Sequence, residues 1–248
     1  MAHNIEALRE RFGNLLDALC HEHGLGECIN GGCPEDVDWN WCDSGYQGAA
    51  DHYGIWTGTG ATKYVIGTDD CDYIIKFCPC ADDYDYCARE VEVYEEAVRA
   101  GHADKFAWCA KLFDYDFNES FNLPVYVMEW CQCDYNMISD EMDDYHYTKF
   151  CSVTGYKKGE FDSYDKYTSD YKYERDLDEK MMEWAYSVWG LDYNAPVAPE
   201  AGMTIAQFMR KMYINDLHAG NWGWCNNRLV LTDYSGYGDC YSGREINY

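Results

Sequence analysis

Asp216-Leu217-His218-Ala219-Gly220-Asn221, followed twelve residues later by Asp233-Tyr234-Ser235-Gly236 at the end of Leu229-Val230-Leu231, is the stretch on which the fold reading turns. It comes directly after a segment, 204–213, whose Ile205, Phe208, Met209 and Met212 recur at helical spacing. A carboxylate can orient an attacking hydroxyl and accept its proton, and an amide oxygen can ligate a hard cation. Asp216 and Asn221, five residues apart, offer that pair, with His218 between them to contact substrate or to shape the loop. Asp233, ending an apolar run, suits Mg²⁺ shared with nucleotide phosphates. Singly, an Asp at a strand end is more often a turn former, so the order of the features matters more than any one of them.

Upstream, Tyr53 to Trp56, Lys63 to Gly67 and Tyr73 to Phe77 are short runs rich in β-branched and aromatic residues, which predicts three strands. The first two flank a glycine loop, Gly58-Thr59-Gly60, whose unobstructed amides can approach phosphate oxygens. Lys76 lies inside the apolar strand Tyr73-Ile74-Ile75-Lys76-Phe77, where an ammonium must snorkel, pair or bind something. Residues 84–100 read as a helix ended by Gly101, and Glu90, or else Glu92, is the expected partner of Lys76. Ala110 to Phe113 and Val125 to Trp130 flank Leu123-Pro124 and suit a hairpin. Residues 53–130 therefore read β-β-β-α-β-β.

Taken in order, these residues resemble the protein kinase-like superfamily over roughly 53–130 and 204–238. Lys76 matches the strand-3 lysine and Glu90 the helix-C glutamate of that family, and Val125 to Trp130 looks like the strand that enters the hinge. Asp216 to Asn221 matches the catalytic loop, and Asp233-Tyr234-Ser235 stands where the family carries its metal-binding Asp-Phe-Gly. The resemblance implies an α+β, two-lobed fold with a five-stranded antiparallel N-lobe sheet and a reduced helical C-lobe. It implies ATP and Mg as cofactors. Gly58 and Gly60 would cover the phosphates, Lys76 would hold them, Met128 would be the gatekeeper, and the backbone from Glu129 to Cys131 would receive adenine. Asp216 would act on the acceptor hydroxyl, with Asn221 and Asp233 on the metal. Ile214-Asn215-Asp216 replaces the family's His-Arg-Asp, so the arginine that answers a phosphorylated activation loop is missing. The Asp-Leu-His-x-Gly-Asn wording is closer to aminoglycoside and other small-molecule phosphotransferases. Eighty-six residues separate Trp130 from Asp216 and 15 follow Asp233, so the expected C-lobe is built mainly from 134–213, with the N-terminal helix assisting. The expected organisation is an N-terminal helix and Cys/Gly-rich extension (1–52), an N-lobe (53–130) and a reduced C-lobe (131–248) with an acidic, Tyr-rich insert (134–173).

Composition bears on partners. Lys and Arg number 19 against 45 Asp and Glu, a net charge of −26, and Ile, Leu, Val and Phe together make up only 42 of 248 residues. Less than about 20% of those four types with a high net charge normally flags disorder. Here 24 Tyr and 9 Trp stand against that, since each large ring can bury roughly 150–250 Å². The charge disfavours non-specific binding to nucleic acid or anionic membrane and points to a basic protein surface as partner, or to mimicry of a nucleic acid. No run reaches the roughly 18 apolar residues of a membrane span, and the start lacks a basic segment followed by an apolar core. A cytoplasmic protein with reduced thiols is expected, in a host cytosol if phage-encoded, a setting that compact kinase-like proteins suit.

Helical spacing of Ile5, Leu8, Phe12, Leu15, Leu16 and Leu19 after Asn4 predicts a capped helix ending at Gly24 and Gly26, whereas 25–52 reads as irregular. Cys20, Cys28, Cys33 and Cys42, with His21 and His23, lack a paired C-x₂-C, and thiol packing is the default reading over zinc. Cys78-Pro79-Cys80 and Cys131-Gln132-Cys133 are expected at opposite ends of the sheet. The tyrosines of 135–173 read as a partner-binding surface or as autophosphorylation targets. Two functions stand at this stage. One is an ATP- and Mg-dependent phosphotransferase acting on a hydroxyl, of a protein or of a small molecule. The other is an acidic kinase-fold interaction protein that inhibits a host or defence protein.

Overall fold

The computed structural model describes residues 3–29, 42–59, 62–78, 85–118, 121–160, 166–168, 177–195 and 202–236. The chain divides into two compact units, Met1–Glu95 with Ala107–Trp130, and Glu96–Phe106 with Cys131–Tyr248. It is a mixed α+β protein.

In the first unit, helix α1 (Ile5–His23) begins where the Asn4 side chain accepts the N–H of Ala7 and ends at Gly24, whose φ of 73° a Cβ would oppose. Leu8, Phe12, Leu15, Leu16 and Leu19 form its buried stripe. Two short helices follow, α2 (Leu25–Cys28) and α3 (Cys42–Tyr53), so the stretch expected to be irregular is partly helical. Gly26 of α2 approaches Phe117 so closely that a Cβ would sit 2.1 Å from its carbonyl oxygen. Helix α3 carries few large apolar residues, and among its described side chains Ala49 is buried, with Tyr46, Ala50 and Tyr53 partly so. This leaves almost no periodic signal in the sequence.

The strands β1 (Ile55–Thr59), β2 (Tyr64–Thr68), β3 (Tyr73–Phe77), β4 (Cys109–Asn118) and β5 (Phe121–Glu129) form one antiparallel sheet in the order β1-β2-β3-β5-β4. Helix α4 (Tyr86–Ala100) connects β3 to β4 and ends at Gly101, φ 79°. The β-β-β-α-β-β order thus holds, with three local corrections. Tyr53 ends α3 rather than starting a strand. Gly58 lies within β1, paired with Val65, and not in a loop, while Gly60 falls outside the described residues. Leu123 and Pro124 lie inside β5, opposite Tyr115 and Asp114, rather than at the turn. Pro124 is tolerated because β5 pairs with β3 only from Tyr126 onward, so its missing N–H breaks no bond to that neighbour.

Alternation sorts the sheet into two faces. Tyr64, Ile66, Ile75, Phe77, Val125 and Val127 pack with the α1 stripe in one core, so α1 belongs with this sheet and does not build the second unit. Each fully enclosed side chain of that type contributes about 1.5–3 kcal/mol. Lys76 of β3 stands opposite Val65 and Tyr126, and Ile74 opposite Met128, which puts these groups on the other face.

In the second unit the Tyr-rich stretch forms helix α5 (Tyr135–Thr154), capped by the Asp134 side chain on Met137 N–H and closed at Gly155, φ 80°. Its buried side is Ile138, Met142, His146, Tyr147, Phe150 and Cys151. Tyr147 and Tyr167 pack together in that core, so these two are not part of the expected surface, whereas Tyr135 and Tyr156 are exposed and Tyr164, Tyr171 and Tyr173 fall outside the described residues. Helix α6 (Leu177–Val188) is followed by α7 (Ile205–Lys211), which starts with a reciprocal Thr204/Gln207 capping box. A hairpin closes the unit, β6 (Trp222–Cys225) and β7 (Arg228–Leu231). Asn226 and Asn227 take φ of 50° and 62°, the two left-handed positions of a tight two-residue turn. Aromatic residues fill the core as the composition implies: Trp184 and Trp189 meet Trp222, and Phe106 meets Phe208 and Tyr234. Among the described residues no helix is long and apolar enough to cross a membrane.

Candidate functional site

In the first unit the site is built on β3 and α4. Lys76 Nζ lies 2.9 and 3.0 Å from the two carboxylate oxygens of Glu90. Lys63, just ahead of β2, brings a second ammonium to within 2.7 Å of the same carboxylate. All three side chains are buried. Glu90 is thus the partner of Lys76, while Glu92 pairs with Arg89 on the helix surface. Lys63 in the trio was not legible from the strand pattern, because it precedes β2 and reaches Glu90 only through the tertiary fold. Met128 is buried on the same face, its sulfur 3.8 Å from Lys76 Nζ.

The stretch expected to receive a base is partly committed to the sheet. The Glu129 amide donates to Trp108 O at 2.9 Å and the Trp130 amide to Asp72 O at 2.7 Å. The Glu129 carboxylate also accepts the Trp108 amide. In the second unit Cys131 is buried, and Gln132 exchanges backbone bonds with Trp224 at 2.9 and 3.0 Å.

The loop carrying Asp216 is organised by Asn221. The Asn221 amide nitrogen donates to Asp216 O at 2.8 Å, which leaves the side-chain oxygen as its acceptor end. The Asn221 carbonyl accepts from the Thr232 amide at 2.8 Å, the Thr232 hydroxyl at 3.1 Å and the Asp233 amide at 3.4 Å. One asparagine therefore ties the Asp216 loop to the segment carrying Asp233. His218 Nδ1 accepts the Gly220 amide at 3.1 Å, and its Nε2 lies 3.6 Å from Asp216 Oδ2, so this ring shapes the loop. Ser235 Oγ donates to Asp233 Oδ1 at 3.3 Å. Gly236, at φ 67°, passes so close to the start of the loop that a Cβ would lie 2.4 Å from Tyr213 O. Tyr213 itself is left-handed at φ 56°.

A separate pocket of about 340 Å³ opens in the second unit beside Tyr145, Lys149, Glu183 and Tyr193. Its buried Glu183 accepts a hydrogen bond from Lys149 and lies 3.9 Å from His146 Nδ1. This polar cluster on α5 and α6 was not anticipated. Lys149 and Glu183 are far apart in sequence, and only helix packing joins them.

Of the Cys/His set near the N-terminus, Cys20 and Cys28 are half-buried against the α1 core, and Cys33 falls outside the described residues. The register Tyr73↔Glu129 sets the start of β3 beside the end of β5. Cys78, just past the other end of β3, is therefore remote from Glu129 at the end of β5, while Cys80 falls outside the described residues. Comparison of the chain with protein-family models, with curated proteins and with solved structures yields no match.

Proposed function

We propose that the chain is an ATP- and Mg²⁺-dependent phosphotransferase of two-lobed, protein kinase-like fold that transfers the γ-phosphoryl group to a hydroxyl, on a protein acceptor in the first instance. The observation that carries the reading is the buried Lys76–Glu90 pair joining the central strand of a five-stranded antiparallel sheet to the helix that follows it. A carboxylate that fixes a lysine inside a sheet face holds an ammonium in one place, which is what a phosphate anchor needs.

In this reading Lys76 holds nucleotide phosphate and Glu90 positions it, with Gly58 and Gly60 over the phosphates and Met128 beside the base. The oxygen donors fit a hard cation: Asn221 donates through its amide nitrogen to Asp216, which leaves the amide oxygen as an acceptor, and Asp233 offers a carboxylate braced by Ser235. Bound there, Mg²⁺ would neutralise charge on the transferring phosphate. Asp216 orients the acceptor hydroxyl and takes its proton, held in place by its backbone bond to Asn221. Incubation with radiolabelled ATP and Mg²⁺, after a thermal-shift titration with both, tests the proposal. Stabilisation and label transfer by the wild type, lost in Asp216→Asn, support it; no stabilisation at millimolar nucleotide refutes it.

One observation favours a second reading, an acidic kinase-fold interaction protein. The amides of Glu129 and Trp130, which would receive a base, already bond within the sheet. With a net charge of −26, such a protein would occupy a basic surface, and its affinity would fall steeply with salt.

A further inference from the structure

Beyond the end of β3, the thiol of Cys78 meets that of Cys87 with the sulfurs 3.6 Å apart. Asp85 brings a carboxylate to the same point, and the three ligand atoms lie within 4.8 Å of one another. Among the described residues this is where Cys, His, Asp and Glu side chains gather in a group that could hold a metal. We propose that Cys78, Asp85 and Cys87 form a Zn²⁺ site, with water in the fourth position.

The geometry suits the ion. Zinc–sulfur bonds of about 2.3 Å at the tetrahedral angle set two sulfurs about 3.8 Å apart, and a zinc-bound carboxylate oxygen stands about 3.6 Å from each sulfur. The observed sulfur separation of 3.6 Å is within about 0.2 Å of that value. Two thiolates with one carboxylate oxygen form a borderline-soft set that selects Zn²⁺ over Mg²⁺ or Ca²⁺.

The surroundings hold the donors in place. One oxygen of Asp85 accepts the N–H groups of Cys87 at 3.0 Å and Ala88 at 2.9 Å, while the other accepts the Tyr126 hydroxyl. Hydrogen bonds of this kind orient a ligating carboxylate. Cys78 and Cys87 are buried and packed with Tyr86 and Tyr126, and half-buried Asp85 gives the ion its way in. Binding would release the protons of both thiols, since only thiolates ligate zinc.

Cys78 lies two residues after Lys76, and Cys87 three residues before Glu90. The ion would thus staple the end of β3 to the start of α4, the two elements joined by that ion pair. The inference stands apart from the nucleotide reading, and neither depends on the other.

The full chain, stripped with chelator under reductant, is titrated with Zn²⁺ and separately with Co²⁺. We expect about one Co²⁺ per chain with a thiolate charge-transfer band, weakened at least tenfold in affinity by Cys78→Ser or Cys87→Ser and about tenfold by Asp85→Asn. Because these variants can unfold, iodoacetamide footprinting of the wild type by mass spectrometry runs beside them. Zn²⁺ should slow alkylation of Cys78 and Cys87 at least tenfold and leave exposed Cys133 unchanged. Unprotected Cys78 and Cys87, a charge-transfer band that survives the Cys78→Ser/Cys87→Ser double substitution, or air oxidation to a Cys78–Cys87 disulfide in the presence of Zn²⁺ would overturn the proposal.

Discussion

Glu90→Gln separates the energetics of the Lys63–Glu90–Lys76 trio from its chemistry. The three side chains are only 4%, 2% and 6% exposed, so solvent screens their attraction little. Removing the shared carboxylate leaves both buried ammonium groups without the charge they converge on, and breaking a buried pair from one side costs about 3–5 kcal/mol. Lys76→Met has a different consequence, because the Lys63–Glu90 pair at 2.7 Å survives and the new side chain meets the Met128 sulfur's neighbourhood. Its cost should stay below about 2 kcal/mol. Replacing all three by apolar residues of similar volume should return stability to near the wild-type value.

Urea unfolding followed by tryptophan fluorescence reads these differences as midpoint shifts at constant m. In a thermal scan, about 2–4 °C per kcal/mol for a chain of this size gives a drop of roughly 6–20 °C for Glu90→Gln. Glu90→Gln within about 1 kcal/mol of wild type, or a Lys76→Met cost as large as that of Glu90→Gln, refutes the shared-carboxylate account.

Asp233→Ala should abolish Mg²⁺- and ATP-dependent transfer while costing no more than about 1 kcal/mol of stability in urea unfolding, since Asp233 is only half-buried; robust turnover in that variant would sink the metal assignment. Gly236→Ala should destabilise by about 2 kcal/mol, from its left-handed φ of 67° and the close approach to Tyr213 O, and differential scanning calorimetry checks it. His3 stacks on Trp108 at 3.7 Å, and burial holds its pKa below the ordinary value, with Glu129 opposing. The unfolded chain therefore takes the proton more readily, so the His3 contribution is present above about pH 6.5 and is lost as pH falls through the lower folded pKa. The urea midpoint of wild type should fall relative to His3→Phe between pH 7.5 and 5, and a gap that does not change with pH counts against it. Asn227→Gly should be neutral or slightly stabilising in the tight turn and Asn227→Val costly, because a β-branched residue resists φ of 62°; chemical denaturation of the two variants decides.

The sheet was legible because its strands are short runs of β-branched and aromatic residues. Tyr73 to Phe77 is bounded where the sequence pattern bounds it, and Lys76 breaks the apolar run at one position only. An exception that sharp inside a central strand implies a partner, and Glu90 on the next helix supplies it. Helix α5 was hidden for the converse reason. Its inward positions 138, 142, 146, 147, 150 and 151 do recur at helical spacing, but they are occupied by Ile, Met, His, Tyr, Phe and Cys and are set among acids. A hydrophobicity count that credits only aliphatic residues misses such a stripe, and in a chain this poor in them the error is systematic. The Cys78–Cys87 contact and the place of Lys63 carry no local signal at all. Nine residues separate the thiols, and nothing in that spacing says that a strand end and a helix start converge. Both clusters lie on one face of one sheet, beside the same strand–helix junction. Whatever fixes that junction, ion pair or metal, also fixes where Lys76 stands. Loss of either should therefore loosen the junction as a whole, and Zn²⁺ added to Glu90→Gln should recover part of its lost stability by mass action.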